Sequence, residues 1–209
     1  MSVTHTPLWV QHLFPRMQWR QPHSAGAVYL TFDDGPTPGI TPWVLEVLRA
    51  YGAKATFFVV GHRVAKYPEL ARQIVAEGHQ LGNHTYHHPN GWKTGPRQYL
   101  MELARTRRII QRVTGQQAQL FRPPYGKLNI PAKWAIQRQY RIVMWDVLAR
   151  DFDPRYSASD CLDAVMRHTR AGSIIVLHDS VKCAVKLRAL LPELLDYLQA
   201  QNLKPIALT

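Results

Sequence analysis

Two adjacent aspartates, Asp33 and Asp34, end the hydrophobic run YLTFDDGPTP just before Gly35-Pro36. Like charges side by side repel and add nothing to a core. One reading is a turn, since Asp-Gly is good turn chemistry and a proline stops a strand. The other is a metal site in which one carboxylate binds the ion and its neighbour handles protons. Downstream, NHTYHHP spaces His84 and His88 four residues apart. One helical turn would bring both imidazoles to the same side, suited to a single divalent ion. The segment lacks the glutamate of a His-Glu-x-x-His protease helix. Asp34 is the natural third ligand, because two histidines and a carboxylate leave positions open for water and substrate. Further polar residues stand at the ends of apolar runs: Arg122 in FRPPYG, Asp146 and Asp151 around YRIVMWDVLARD, and His178-Asp179 in IIVLHDS. Each has a plain alternative. Arg122 can cap a loop, Pro123-Pro124 can end a strand, and His178 can sit in a core with Asp179 capping a helix.

These residues need a frame that brings strand ends together. Ala27–Phe32, Ala55–Val60, His79–Asn83, Gln119–Arg122, Tyr140–Asp146, Gly172–Leu177 and Pro205–Leu208 read as strands. Between them, Thr41–Ala50, Pro68–Glu77, Arg97–Val113, Pro131–Gln139, Ser159–Thr169 and Leu187–Gln199 read as helices. ATFFVV shows no alternation, as expected of a strand buried on both faces. Strands alternating with helices imply parallel pairing with helical crossovers, and about six to seven units fit an irregular (β/α) barrel in one α/β domain. In a barrel the C-terminal strand ends share one mouth. The first turn lacks a Gly-x-Gly-x-x-Gly fingerprint, which argues against nucleotide binding. Residues 1–26 form an extension ahead of a 27–209 domain; its apolar cluster Leu8, Trp9, Val10, Leu13 and Phe14 is expected to pack on the barrel rather than touch a membrane.

With these residues in place, TFDDGP, His-Thr-x-x-His-Pro, Arg-Pro-Pro-Tyr-Gly and Ile-Val-Leu-His-Asp, in this order, resemble the polysaccharide deacetylases, carbohydrate esterase family 4, from about Val28 to Leu208. The resemblance implies a distorted (β/α) barrel and a metal-dependent enzyme. It would remove the N-acetyl group of an N-acetylhexosamine in a glycan or glycolipid. It implies one divalent ion, usually zinc, on Asp34, His84 and His88, with other divalent transition metals as alternatives. Asp33 would be the general base, Arg122 its orienting partner and the Tyr125 N–H an oxyanion donor. His178 would be the general acid and Leu177 a wall of the acetyl pocket.

The chain departs from the family at the fourth motif, usually Asp-x-x-Asp-Trp. Here it reads Leu148-Ala-Arg-Asp151-Phe152. The missing first aspartate normally helps set the acid histidine, so Asp146 or Asp151 would have to tune His178. Phe152 keeps an apolar wall, and Trp92 is a further candidate for the substrate wall. The chain of 209 residues carries a formal net charge of +12. Lys93 to Arg141 holds eleven Lys/Arg against one acid, Glu102, and suggests an anionic surface or polymer as partner; no nucleic-acid motif accompanies it. A non-catalytic binder using this face, or a hydrolase of a non-sugar amide, are the competing functions. No apolar run is long enough to span a bilayer. The N-terminus does not read as a signal peptide, so the expected location is cytoplasmic, peripheral to the membrane. Cys161 and Cys183 form no metal or redox pattern and are expected as buried thiols.

Overall fold

The computed structural model describes residues 4–21 and 26–209. Its strands are β1 (Ala27–Asp33), β2 (Ala55–Val59), β3 (Gln80–Asn83), β4 (Leu120–Phe121), β5 (Arg141–Ile142), β6 (Val147–Leu148), β7 (Ile174–His178) and β8 (Lys204–Pro205). Its helices are α1 (Leu8–Leu13), α2 (Thr41–Ala50), α3 (Gly61–Lys66), α4 (Pro68–Ala76), α5 (Pro96–Thr114), α6 (Lys133–Gln137), α7 (Ala158–His168) and α8 (Ala184–Ala200). The parallel sheet runs β5-β4-β3-β2-β1-β7-β6, with β8 added to the start of β1. It curls into a distorted, incompletely closed barrel in one domain.

Side chains alternate between two layers, as the pleat requires. Val28, Leu30 and Phe32 of β1, Ile175 and Leu177 of β7, and Ala55, Phe57 and Val59 of β2 face the helices. There they meet Val44, Leu45 and Leu48 of α2, Ile74 of α4 and the leucine face of α8. Each such fully buried leucine or phenylalanine contributes about 1.5–3 kcal/mol. The opposite side chains fill the barrel. Tyr29, Leu120, Val143, Ile174 and Leu208 plug its lower part, and Phe58 of the same cluster rises to the level of Asp33. Above them the interior turns polar, with Thr31, Asp33, His84, Arg122 and His178 at the upper strand ends.

The expected strand Tyr140–Asp146 is not continuous. β5 pairs β4, β6 pairs β7, and residues 143–146 cross the gap between them. The N-terminal segment bridges that gap. Gln18 N–H donates to the Ile142 carbonyl and accepts Met144 N–H at its own (both 2.8 Å), Thr6 N–H donates to Asp146 (2.9 Å) and Leu148 N–H to Thr4 (2.7 Å). Met17 and Trp19 are buried beside Ile142 and Met144. Of the expected extension, residues 1–3 and 22–25 lie outside the described residues. The expected burial of its apolar cluster is corrected: Val10 packs on the core, but α1 buries no residue, and Leu8, Trp9 and Leu13 are exposed. A single short turn has too narrow a face to bury residues on all sides.

Candidate active site

The upper end of the barrel collects the residues read from the sequence. β1 delivers Asp33 in register with His178 of β7 and Phe58 of β2. Asp33 is buried, and its Oδ1 accepts from Arg122 Nη1 at 2.7 Å. Arg122, fully buried, comes from the end of β4. Its other donors reach Thr31 Oγ1 (2.7 Å) and the carbonyls of Met144 (2.9 Å) and Val143 (3.4 Å). Its guanidinium lies 4.1 Å from the Phe58 ring centre, a cation–π contact. Gly82 makes room for that ring: a Cβ there would come within 2.4 Å of it. Burial lowers the Arg122 pKa and Asp33 opposes that shift.

Asp34 turns the other way. Its φ of 79° swings the carboxylate out of the strand direction toward the histidines. Gly35 follows because a Cβ would fall 2.1 Å from the Asp179 carboxylate. Asp179 is buried and accepts from the Thr41 hydroxyl, so it braces this turn and caps no helix. Burial drives its carboxyl up to about 7.

His84 and His88 sit in a loop, which corrects the helical-turn expectation. Positive φ at Thr85 (65°) and His88 (60°) folds the loop so that the two rings lie 4.9 Å apart. His88 Nε2 is 3.2 Å and His84 Nε2 3.8 Å from Asp34 Oδ1. His84 Nδ1 is 2.7 Å from the Arg122 carbonyl, which places the ring proton there and leaves Nε2 as a free ligand atom. Burial, aided by His84, pushes the His88 imidazole down to about 4, keeping it neutral. Burial would raise Asp34, but His178, His84, His88 and Lys182 together hold it below the ordinary carboxylate value. Three donors within 4.8 Å of one another, two imidazoles and an anionic carboxylate, fit one divalent ion.

His178 faces the same space. Its Nδ1 lies 2.7 Å from Asp151 Oδ1, and its backbone N–H donates to Asp151 Oδ2 at 2.8 Å. Burial alone would depress this imidazole; Asp151 overrides that, with help from Asp34 and Asp33, and lifts it to about 9. The choice between Asp146 and Asp151 is thus resolved. Asp146 lies at the other end of β7, held by Ser173 Oγ (2.8 Å), His5 and Arg20 (3.2 Å each). Phe152 meets the His178 ring edge-on at 5.2 Å. Cys183 stands near Asp151 and His178, but burial pushes its thiol up to about 12 and Asp151 is already engaged, so this group supports the acid.

Two wall assignments change. Leu177 is fully buried against the helices, because strand alternation puts it on the side away from His178. Val176, two residues before His178 and in register with Leu148, shares the inner side; counting back by two along IIVLHD would have found it. Trp92 is 70% exposed with Lys127 over its ring (5.1 Å), outside the cavity at the ligand cluster. That cavity, of about 380 Å³, is lined by Asp34, His88, Tyr125 and Lys182 among others. Lys182 Nζ lies 4.0 Å from Asp34 Oδ2; the sequence had not marked it. Tyr125 adopts φ 60° and stacks edge-on against His88 at 4.6 Å; among the described residues its N–H donates to no carbonyl outside its own turn.

Comparison with known proteins shows which sequences and folds the chain resembles. The profile of the family described as polysaccharide deacetylase matches residues 20–144. A peptidoglycan-N-acetylglucosamine deacetylase of Bacillus cereus is 38% identical over 160 residues, 76% of this chain but 58% of that protein. A chitooligosaccharide deacetylase of Azorhizobium caulinodans is 36% identical over 160 residues, 73% of each chain. The crystal structure of a peptidoglycan N-acetylglucosamine deacetylase in complex with 4-naphthalen-1-yl-N-oxidanyl-benzamide superposes with a TM-score of 0.88 at 30% identity, covering 97% of this chain and 95% of that one.

Proposed function

Since this chain belongs to the polysaccharide deacetylase family, we propose that it hydrolyses the N-acetyl group of an N-acetylhexosamine in a glycan or glycolipid, releasing acetate and a free amine. The observation that carries this reading is the meeting of three differently prepared sets at one end of the barrel: the Asp34–His84–His88 donors, the Asp33–Arg122 pair and the Asp151–His178 pair.

Asp34, His84 and His88 would hold a divalent ion, with zinc favoured by two imidazoles and one carboxylate. When bound, such an ion supplies Lewis acidity for the amide carbonyl and lowers the pKa of water. The chain's own groups do the rest. Asp33 has one oxygen fixed by Arg122, so Oδ2, 4.0 Å from His84 Nε2, is left to accept a proton from the attacking water. The Tyr125 N–H serves the carbonyl oxygen as negative charge develops on it. His178 gives a proton from Nε2 to the departing amine, its Nδ1 proton being committed to Asp151. Phe152 keeps the surroundings of that proton apolar.

The test is acetate release from a panel of N-acetylated glycans by zinc-loaded protein, beside Asp33→Asn. A fall of about 10²–10⁴-fold in the variant, with metal content unchanged, is expected. Release only from acetylated amides that carry no sugar would replace the substrate class; full activity in Asp33→Asn would overturn the assignment of the base.

A further inference from the structure

The N-terminal apolar cluster and α6 build a surface unrelated to the cavity. Leu8, Trp9 and Leu13 of α1 are 55%, 66% and 64% exposed. Trp9 and Leu13 stand four residues apart, on one helix face. Just beyond them the chain meets α6. Lys133 Nζ lies 5.8 Å from the Phe14 ring, and the Arg16 guanidinium 5.2 Å from the Trp134 ring. Trp134 is 68% and Ile130 55% exposed. Two stretches over a hundred residues apart thus present large apolar side chains, with cations set on the aromatic rings. Arg16, Trp134 and Arg138 also line one shallow concavity. The charge is one-signed: residues 1–32 and 103–145 contain no Asp or Glu, and the second stretch holds nine Lys/Arg.

Folded monomers seldom leave such apolar groups together in water. A nucleic acid would use the cations but has no place for Leu8, Leu13 and Ile130. A protein partner's interface core is depleted of charge, whereas here cations sit on the apolar rings themselves. An anionic lipid surface accepts both kinds of group: phosphates take the cations, and the headgroup–acyl boundary takes Trp and Leu. We propose that the surface formed by α1, residues 14–17 and α6 docks on an anionic phospholipid bilayer, with Trp9, Leu13 and Trp134 inserted at the boundary and Arg16, Lys133 and Arg138 on the headgroups. Among the described residues no helix is long and apolar enough to cross a membrane.

One anchoring signal gives only marginal binding, so losing either half is enough to release the protein. The experiment is flotation of the whole chain with vesicles of phosphatidylcholine alone and of phosphatidylcholine with phosphatidylglycerol, at low and high salt. Flotation is expected only with phosphatidylglycerol and falls as salt rises. Trp9→Ser/Leu13→Ser and, separately, Lys133→Glu/Arg138→Glu should each weaken partition at least about tenfold with unchanged thermal melts. If the first variant melts early, Trp134→Ser and the charge-reversal variant decide the matter. No flotation at low salt, or flotation that survives the substitutions, overturns the proposal. So does a dimer in sedimentation velocity that Trp9→Ser/Leu13→Ser dissolves, which would assign the face to a second copy.

Discussion

Asp146 and Asp151 are five residues apart, both fully buried, and of opposite use. Asp146, at the lower end of β7, is surrounded: Ser173, His5, Arg20 and, at 3.9 Å, Arg170 all converge on it. Each bond ties one segment to another, and the carboxylate faces no cavity. Asp151, at the mouth, spends both oxygens on one residue, the ring and backbone of His178, whose far nitrogen stays free beside the ligand cluster. One carboxylate fastens the structure; the other prepares a neighbour. What separates them is whether the network ends in a satisfied bond or in an atom left free beside the ligand cluster.

The sharpest way to test the contrast is Asp151→Asn. The charge that does most to lift His178 to about 9 disappears, leaving burial opposed only by Asp34 and Asp33, so the imidazole's pKa falls. In the parent protein the acid is protonated below about 9, so kcat/KM should fall as pH rises through that value. In the variant the descending limb should move to lower pH, with a loss of at least about tenfold at about pH 8. A pH–rate profile checks both. The stability linked to His178 runs the same way: its raised folded pKa stabilises the fold fully below the unfolded value near 6.5, and that contribution is lost as pH climbs through about 9.

Asp146→Asn should do the reverse, costing about 1.5–3 kcal/mol of stability through weakened charged hydrogen bonds while leaving the pH profile unmoved. Denaturant melts with a parallel activity assay measure this; a shifted pH limb would erase the distinction. The smallest effect is expected at Thr31→Val. Its hydroxyl accepts from Arg122 and donates to the Ile175 carbonyl, so its loss should cost about 1 kcal/mol and a few-fold in kcat, by loosening the support of Asp33.

The long strands and helices were legible because their apolar patterns are sustained: β1, β2, α4 and α5 lie within a residue or two of their expected ends. The site residues were legible because they cluster in short, unusual runs. Three things were not. The break at residues 143–146 depends on the N-terminal segment occupying the gap, a long-range event invisible in YRIVMWD itself. The His84–His88 geometry depends on positive φ at two non-glycine residues, which local propensity disfavours. Of the six non-glycine residues with positive φ among those described, Asp34, Thr85, His88 and Tyr125 belong to the site and Arg150 adjoins it, so strain gathers where tertiary contacts impose it. Leu177 lies on the outer side for a simpler reason: the strand's period of two puts Val176, with His178, on the inner one.

The bridging N-terminal segment bears on how the molecule is made. The partners of Thr6 and Gln18, at Ile142, Trp145 and Asp146, are translated more than a hundred residues after them. Until then Met17 and Trp19 have no core to enter, and the β5–β6 gap cannot be sealed. Such sequence-distant pairing slows closure, so the nascent chain must remain open along one side through most of its synthesis.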